Sequence, residues 1–422
     1  MLTLNQSDIY KDSKPTKIIA YIKSTTESEN LGEMVFPVKK KDFLFMKTKY
    51  TLINTKTDLE KITRDLKKEK SIAVDVEADS MYHFKEKVCL IQLATKKEYF
   101  VIDPLQIQDL SSLNILFSNS DIKKIFHGAD FDVRSLYRDF NIKIKNLFDT
   151  QIACMFLGIR ETSLDAVIRE RFKISLDKKY RKKDWSKRPL PENMIEYAVK
   201  DTIYLIKLAE ILEKELKIID RISWVQEECE ILSKVRPALP NSEPLFMKFK
   251  GAGRLNPKSL AVLETLLQFR FSMAQKKDRP LFKIIDNNSL MKIVKEKPAN
   301  LRQLEKTKVI SQKQIEMYGD AIVRAVNNSL MLRAANMTVY PRRKAPVLPP
   351  EVPLRAKAIK RWRDSKAKEL ELDPAIVCNK TIINSIALQN PAHLKDLLKI
   401  KEMKKWQQKA FGRDIVAILK NL

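Results

Sequence analysis

The sequence predicts a mixed α/β domain followed by two small all-α modules. Three observations predict it. Strand-like and helix-like segments alternate between residues 50 and 235; only amphipathic helical patterns follow; and two proline-rich stretches, RPALPNSEPLF (236–246) and PRRKAPVLPPEVP (341–353), divide the chain. The expected layout is therefore an extension at 1–49, an α/β block at 50–235, and helical modules at 247–338 and 354–422.

In order, TLINTKTDLEKITRDLKKEK reads as a short strand and a helix, and SIAVDVEA (71–78) as a strand. VCLIQLAT and EYFVID are two more strands, rich in β-branched and aromatic residues. LSSLNILFSN reads as a short helix, KKIFHGA as a strand and DFDVRSLYRDF as a helix. From there to ENMIEYAVKDTIYLIKLAEILEKELK the block reads as mostly helical. The sheet is expected to be covered on both faces. The two modules repeat each other: 278–304 pairs with 372–397, matching Pro280 to Pro374 and Pro298 to Pro391 with a one-residue slip between.

Composition narrows the chemistry. The 80 Lys and Arg outnumber the 53 Asp and Glu by 27, which favours an acidic partner such as nucleic acid or an anionic membrane surface. No apolar run is long enough to cross a membrane, and MLTLNQSDIYKDSKPTK lacks a signal-peptide core, so the expected compartment is the cytoplasm. Cys89, Cys154, Cys229 and Cys378 are far apart and read as reduced thiols. With three His and seven Gly, a histidine metal centre and a glycine-rich phosphate loop are both disfavoured.

Two acids interrupt the most strand-like segment. Strand alternation sends Ile72, Val74 and Val76 one way, and Asp75 and Glu77 the other. Like charges so close repel, so something positive is expected between them. Asp132 falls in the first turn of a helix, with Asp130 just before it, and Tyr197 and Asp201 share one helix face. Carboxylates are what hard divalent cations prefer, and Asp75, Glu77, Asp132 and Asp201 together offset the charge of two. Such a pair suits in-line displacement at phosphorus, with Tyr197 placed to orient water. The bland readings stand beside this one: solvated acids at a strand end for Asp75 and Glu77, and a helix-dipole partner for Asp132. Asp149 reads as a helix N-cap rather than a fifth ligand. His127 reads as a hydrogen-bonding residue, and His83 as either a substrate contact or a surface-loop residue.

DVE (75–77), HGADFD (127–132) and YAVKD (197–201) resemble the three motifs of the ribonuclease D family, and DWSKRPL (184–190) is similar to its linking motif. That family belongs to the DEDD exonucleases, in the branch with Tyr in the third motif. The helical repeats resemble HRDC modules. The resemblance implies a ribonuclease H-like catalytic fold followed by two HRDC-like bundles. It implies Asp75, Glu77, Asp132 and Asp201 as ligands of two Mg²⁺ or Mn²⁺ ions and Tyr197 as the water-orienting residue. Direction of attack (3′ to 5′), RNA as substrate and tRNA precursors as the family's targets also come from it. No membrane, from the lack of a long apolar run, and no obligate protein partner are expected. The extension at 1–49 is unexplained by the family.

The basic run KKYRKKDWSKR (178–188) lies between two motifs and is expected to contact phosphate through Lys182 and Lys183. Arg188 either joins them or pairs with an acid. A DNA-directed exonuclease and a non-catalytic RNA-binding scaffold are the rival readings. A cut near 340 is expected to spare the chemistry and weaken binding of structured RNA.

Overall fold

A computed structural model describes residues 49–238, 243–332, 339–341 and 348–422. The extension at 1–48, and the docking or RNA contact entertained for it, lie outside the described residues. The α/β block opens with β1 (Thr51–Ile53) and α1 (Lys56–Leu66), whose first turn is capped by the Thr55 hydroxyl accepting from the Asp58 amide. Then come β2 (Ser71–Ala78), β3 (Val88–Ala94), β4 (Tyr99–Ile102), α2 (Ser111–Phe117), β5 (Lys123–Phe126) and α3 (Asp130–Phe140). A sixth strand, β6 (Leu147–Asp149), leads into α4 (Thr150–Phe156), α5 (Leu164–Phe172), α6 (Glu192–Ile203), α7 (Leu205–Ile218) and α8 (Ile222–Ser233). The sequence pattern reads β6 as part of a helical stretch, because three residues carry no period.

The sheet runs β1-β4-β3-β2-β5-β6. β2 pairs antiparallel with β3 and parallel with β5, so the strand carrying the acids is central. Its faces separate as alternation requires. Ile72, Val74 and Val76 enter the main core with Ile91 and Leu93. On the other face Asp75 lies opposite Gln92 and Glu77 opposite Leu90. Leu90 and Val101 there meet Ala198 and Val199 of α6, so α6 roofs the acidic face of the sheet.

The first module contains α9 (Pro257–Lys276), α10 (Leu281–Ile284), α11 (Asn287–Glu296), α12 (Leu301–Thr307) and α13 (Gln312–Leu330). The second contains α14 (Glu351–Leu370), α15 (Pro374–Val377), α16 (Lys380–Gln389), α17 (Leu394–Leu397) and α18 (Lys405–Lys420). From α10 on, each helix start recurs 93 residues later, so Leu281 matches Pro374 and the expected Pro280–Pro374 pairing is one residue off.

The modules attach differently. The first has its own core, which Phe84 of the α/β block joins from outside. Phe84 meets Phe271 edge-on at 5.1 Å, and the Asp278 carboxylate accepts the Phe84 amide and lies 2.7 Å from His83 Nδ1. Tyr82 carries Lys283 over its ring at 4.2 Å. The second module shares the main core of the α/β block: Ile359, Val377, Ile386 and Phe411 sit in one continuous cluster with Phe156, Leu212 and Val225. Trp224 of α8 stacks on Trp406 of α18 at 4.6 Å, and Phe156 meets Trp406 edge-on at 5.4 Å. Glu227 caps α18 by accepting the amides of Lys405 and Trp406, and Glu228 accepts from Trp406 Nε1 and Lys404 Nζ. Buried Arg221 donates to carbonyls on both sides, Phe156 and Leu370. At Gly158 (φ +77°) an added Cβ would lie 2.5 Å from the Glu371 carbonyl oxygen, so the contact needs glycine on both counts.

Candidate active site

Three elements converge. β2 supplies Asp75 and Glu77, the first turn of α3 supplies Asp132, and one face of α6 supplies Tyr197 and Asp201. Ligand oxygens of Asp75, Glu77 and Asp201 lie within 4.8 Å of one another. Asp132 is buried beside them, close enough for its charge to act on Glu77 and for Asp75 to act on it. Asp130 faces outward and pairs with Arg134 at 2.7 Å.

The turn that delivers Asp132 is held from behind. Buried Asp149 caps α4 by accepting the amides of Gln151 and Ile152, and also accepts those of Gly128 and Ala129 at 3.0 and 2.7 Å. That occupies its oxygens and removes it from the ligand candidates. Gly128 (φ +76°) makes the turn possible. His127 contacts the Thr150 hydroxyl and the Thr162 carbonyl, and burial pushes its pKa down, so it is a neutral structural residue.

Burial comes first among the causes that push all four acids up. Asp75 rises to about 6. Glu77 is raised further by Asp75, Asp201 and Asp132, Asp132 by Asp75, and Asp201 by Asp75. Among the described residues none of the four makes an ion pair, so the positive partner expected from the sequence is not a lysine or arginine in contact with them. An all-oxygen set of crowded carboxylates fits hard divalent cations. The Tyr197 hydroxyl lies close enough to the Asp201 carboxylate to favour its ionised form, and burial followed by the charge of Asp201 pushes the tyrosine's own pKa well up, so it stays protonated. Its ring is fixed between Tyr180 (5.8 Å) and fully buried Trp185 (6.2 Å). Beside Tyr197 and Asp201 opens a cavity of about 180 Å³, lined also by Lys179, Tyr180, Asn193 and Lys200.

The sign of the pH dependence follows. An acid whose folded pKa exceeds its unfolded value stabilises the fold when protonated, and that stability is lost as pH rises through the folded value. For Asp75 the window runs from 3.8 to about 6. The metal-free chain is therefore expected to melt at lower temperature as pH rises across that window, with Mg²⁺ restoring the loss. Differential scanning calorimetry with and without metal checks this, and a metal-free melting point that climbs with pH would contradict it.

Lys182 and Lys183 are exposed on the loop before α6. The phosphate role of Arg188 is corrected: all its donors are used. It pairs with Asp103 through Nε and Nη2 and donates to the carbonyls of Cys89, Trp185 and Lys187. It ties the linking motif to the sheet. Sequence reasoning missed Arg181, whose charge favours the ionised forms of Glu77, Tyr197 and Asp201. Its only signal was membership of the basic run.

Comparisons with known proteins align with this geometry. A 3′-5′ exonuclease family model matches residues 50–217, and an HRDC-domain model matches 259–326 and 354–419. Ribonuclease D of Desulfotalea psychrophila is 29% identical over 82% of this chain and 93% of its own length. Protein RRP6-like 1 of Arabidopsis thaliana is 29% identical over 72% of this chain, which spans 50% of that longer protein. The crystal structure of Escherichia coli RNase D superposes over 89% of this chain and 99% of its own with a TM-score of 0.65 at 22% identity, so the two share a fold.

Proposed function

The chain belongs to the ribonuclease D family of 3′-5′ exonucleases with HRDC domains, and on that premise we propose that it trims RNA 3′ ends with two Mg²⁺ or Mn²⁺ ions held by Asp75, Glu77, Asp132 and Asp201. The activity is that of a 3′→5′ exoribonuclease, and family and acidic cluster together imply divalent metal use. The observation that carries the finer reading is the meeting of Asp75, Glu77 and Asp201 oxygens within 4.8 Å, with no cationic side chain among the described residues in contact.

Bound divalent cations supply water activation and neutralise charge on the transferring phosphate. The chain's own groups do the positioning. Tyr197, protonated and clamped between Tyr180 and Trp185, presents a hydroxyl one helical turn from Asp201, where it orients the attacking water. Tyr197→Phe is expected to lower kcat roughly 10²-fold, the scale of one acid–base or orienting group. Calorimetric Mn²⁺ affinity should stay near wild type; a loss as deep as that in Asp201→Asn would contradict this division of roles.

We assign catalysis to 50–235 and substrate handling to 247–338 and 354–422. The proposed substrates are tRNA precursors and similar stable RNAs, and the proposed compartment is the cytoplasm, supported by four free buried cysteines. Lys182 and Lys183 are proposed to touch the RNA backbone. For a single strand the log–log salt slope is about −0.7 per phosphate neutralised. Replacing both lysines by Ala should flatten the slope by roughly one to one and a half units; an unchanged slope removes them from the interface. Substrate class is tested by matched RNA and DNA oligonucleotides and a 3′-extended tRNA precursor, assayed side by side. Faster trimming of RNA is expected, and a preference for DNA would overturn the assignment.

A further inference from the structure

We infer that Arg181 is a further catalytic residue, whose guanidinium binds the non-bridging oxygens of the scissile phosphate. The inference rests on the exonuclease reading of the site. Its loop is fixed on both sides. Turns close from Arg181 N to Lys178 O (3.4 Å) and from Lys183 N to Tyr180 O (2.9 Å). The preceding residue, Tyr180, packs edge-on against Tyr197, and the carbonyl of the following one, Lys182, accepts the Tyr82 hydroxyl at 2.7 Å. Tyr82 belongs to the segment that leaves β2 just after Glu77. The backbone of Arg181 thus spans from the ring of Tyr197 to the end of the strand carrying the acids.

The side chain itself is exposed, and among the described residues it makes no hydrogen bond or ion pair. Arg188, in the same run, is fully consumed by Asp103 and three carbonyls. Arg181 is close enough for its charge to act on Glu77, Tyr197 and Asp201 together. An arginine held near Glu77 and Asp201 yet bonded to neither has its fork of donors free for a ligand. Charge balance says which ligand. Four carboxylates against two divalent cations sum to zero, and the phosphodiester then brings a negative charge that grows as the reaction proceeds. A guanidinium matches two phosphate oxygens at once, which an ammonium does not.

In the step itself the water oxygen bonds to phosphorus and the bond from phosphorus to the ribose O3′ breaks. The water loses its proton to solvent, and O3′ leaves with a proton taken from water. The products are a 5′-nucleotide and an RNA with a free 3′-hydroxyl. Arg181 keeps its protons throughout and donates two hydrogen bonds that strengthen as charge builds on the oxygens.

The test uses the full-length chain, with Arg181→Gln, Arg181→Lys and Asp75→Asn, on a short unstructured RNA at saturating Mg²⁺. Removing one donor to a developing oxyanion costs about 10²–10³ in rate. Arg181→Gln is expected to lose that much in kcat with KM little changed, and Arg181→Lys to fall between it and wild type. A second readout needs no turnover: binding of 5′-AMP should weaken about tenfold in Arg181→Gln, the loss of one charge-assisted contact, while adenosine binding should not change. A wild-type kcat with raised KM, or unchanged 5′-AMP affinity, overturns the inference. Should Arg181→Gln misfold by circular dichroism, Arg181→Lys decides, and a wild-type kcat there overturns it equally. Activity surviving in Asp75→Asn would instead overturn the metal-site reading on which this rests.

Discussion

Asp75→Asn and Asp201→Asn are each expected to abolish hydrolysis, by at least about 10³-fold, while leaving the fold intact. Each replaces one carboxylate oxygen of the cluster that gathers within 4.8 Å and is proposed to hold the metals. Several kcal/mol of charge stabilisation on the transferring phosphate depend on that cluster, and 1.36 kcal/mol is about tenfold in rate. The same substitutions should not cost stability in the metal-free chain. Asp201 is held up by burial and by Asp75, so a neutral amide there relieves repulsion. A thermal melt without metal should therefore be unchanged or higher by a few degrees. A mutant that keeps turnover at saturating metal would sink the ligand assignment. One that unfolds would show that the carboxylates are structural.

Ending the chain after residue 341 is expected to unfold or aggregate the catalytic block. This reverses the expectation drawn from the sequence, which treated the last module as a removable RNA grip. The reason is the shared core. Trp224 stacks on Trp406, Phe156 meets it edge-on, and Arg221, Glu227 and Glu228 are partnered across the same seam. Loss of the module would expose Phe156, Trp224 and the apolar side of α8, and leave the Arg221 guanidinium without its Leu370 acceptor. Single Phe or Trp truncations in cores cost about 3–5 kcal/mol, against a total stability of about 5–15 kcal/mol. Trp406→Ala alone should then destabilise by about that single-truncation amount. Circular dichroism melts of both proteins are the check. A truncated chain that melts like the full one would mean the seam contributes nothing to the block.

The sequence disclosed what depends on local pattern. A period of two separated Asp75 and Glu77 from Ile72, Val74 and Val76, and a four-residue spacing put Tyr197 and Asp201 on one face, because side-chain direction in a strand or helix is fixed by the backbone. Asp149 was legible as a cap from its place before a helix. Its second task, holding the Gly128–Ala129 turn, was not, since those amides lie in the turn after β5, 21 and 20 positions earlier. Pattern alone leaves Arg188 between phosphate contact and pairing with an acid, because its partner Asp103 lies 85 positions away. The docking of the second module was hidden for the same cause: Trp224 and Trp406 each look like an ordinary amphipathic-helix residue until they stack. Arg181 was hidden among its neighbours, because a row of lysines and arginines gives no hint which one carries its charge to the acids.

The central claim is that this acid cluster removes nucleotides one at a time from an RNA 3′ end with divalent metal. The direct measurement follows a 5′-labelled RNA on a denaturing gel alongside chromatography of the released material, with Mg²⁺, with Mn²⁺ and with chelator. The account predicts a ladder that shortens by single nucleotides from the 3′ end, 5′-monophosphates as the product, and no reaction in chelator. Internal fragments, or cleavage that persists in chelator, would contradict it.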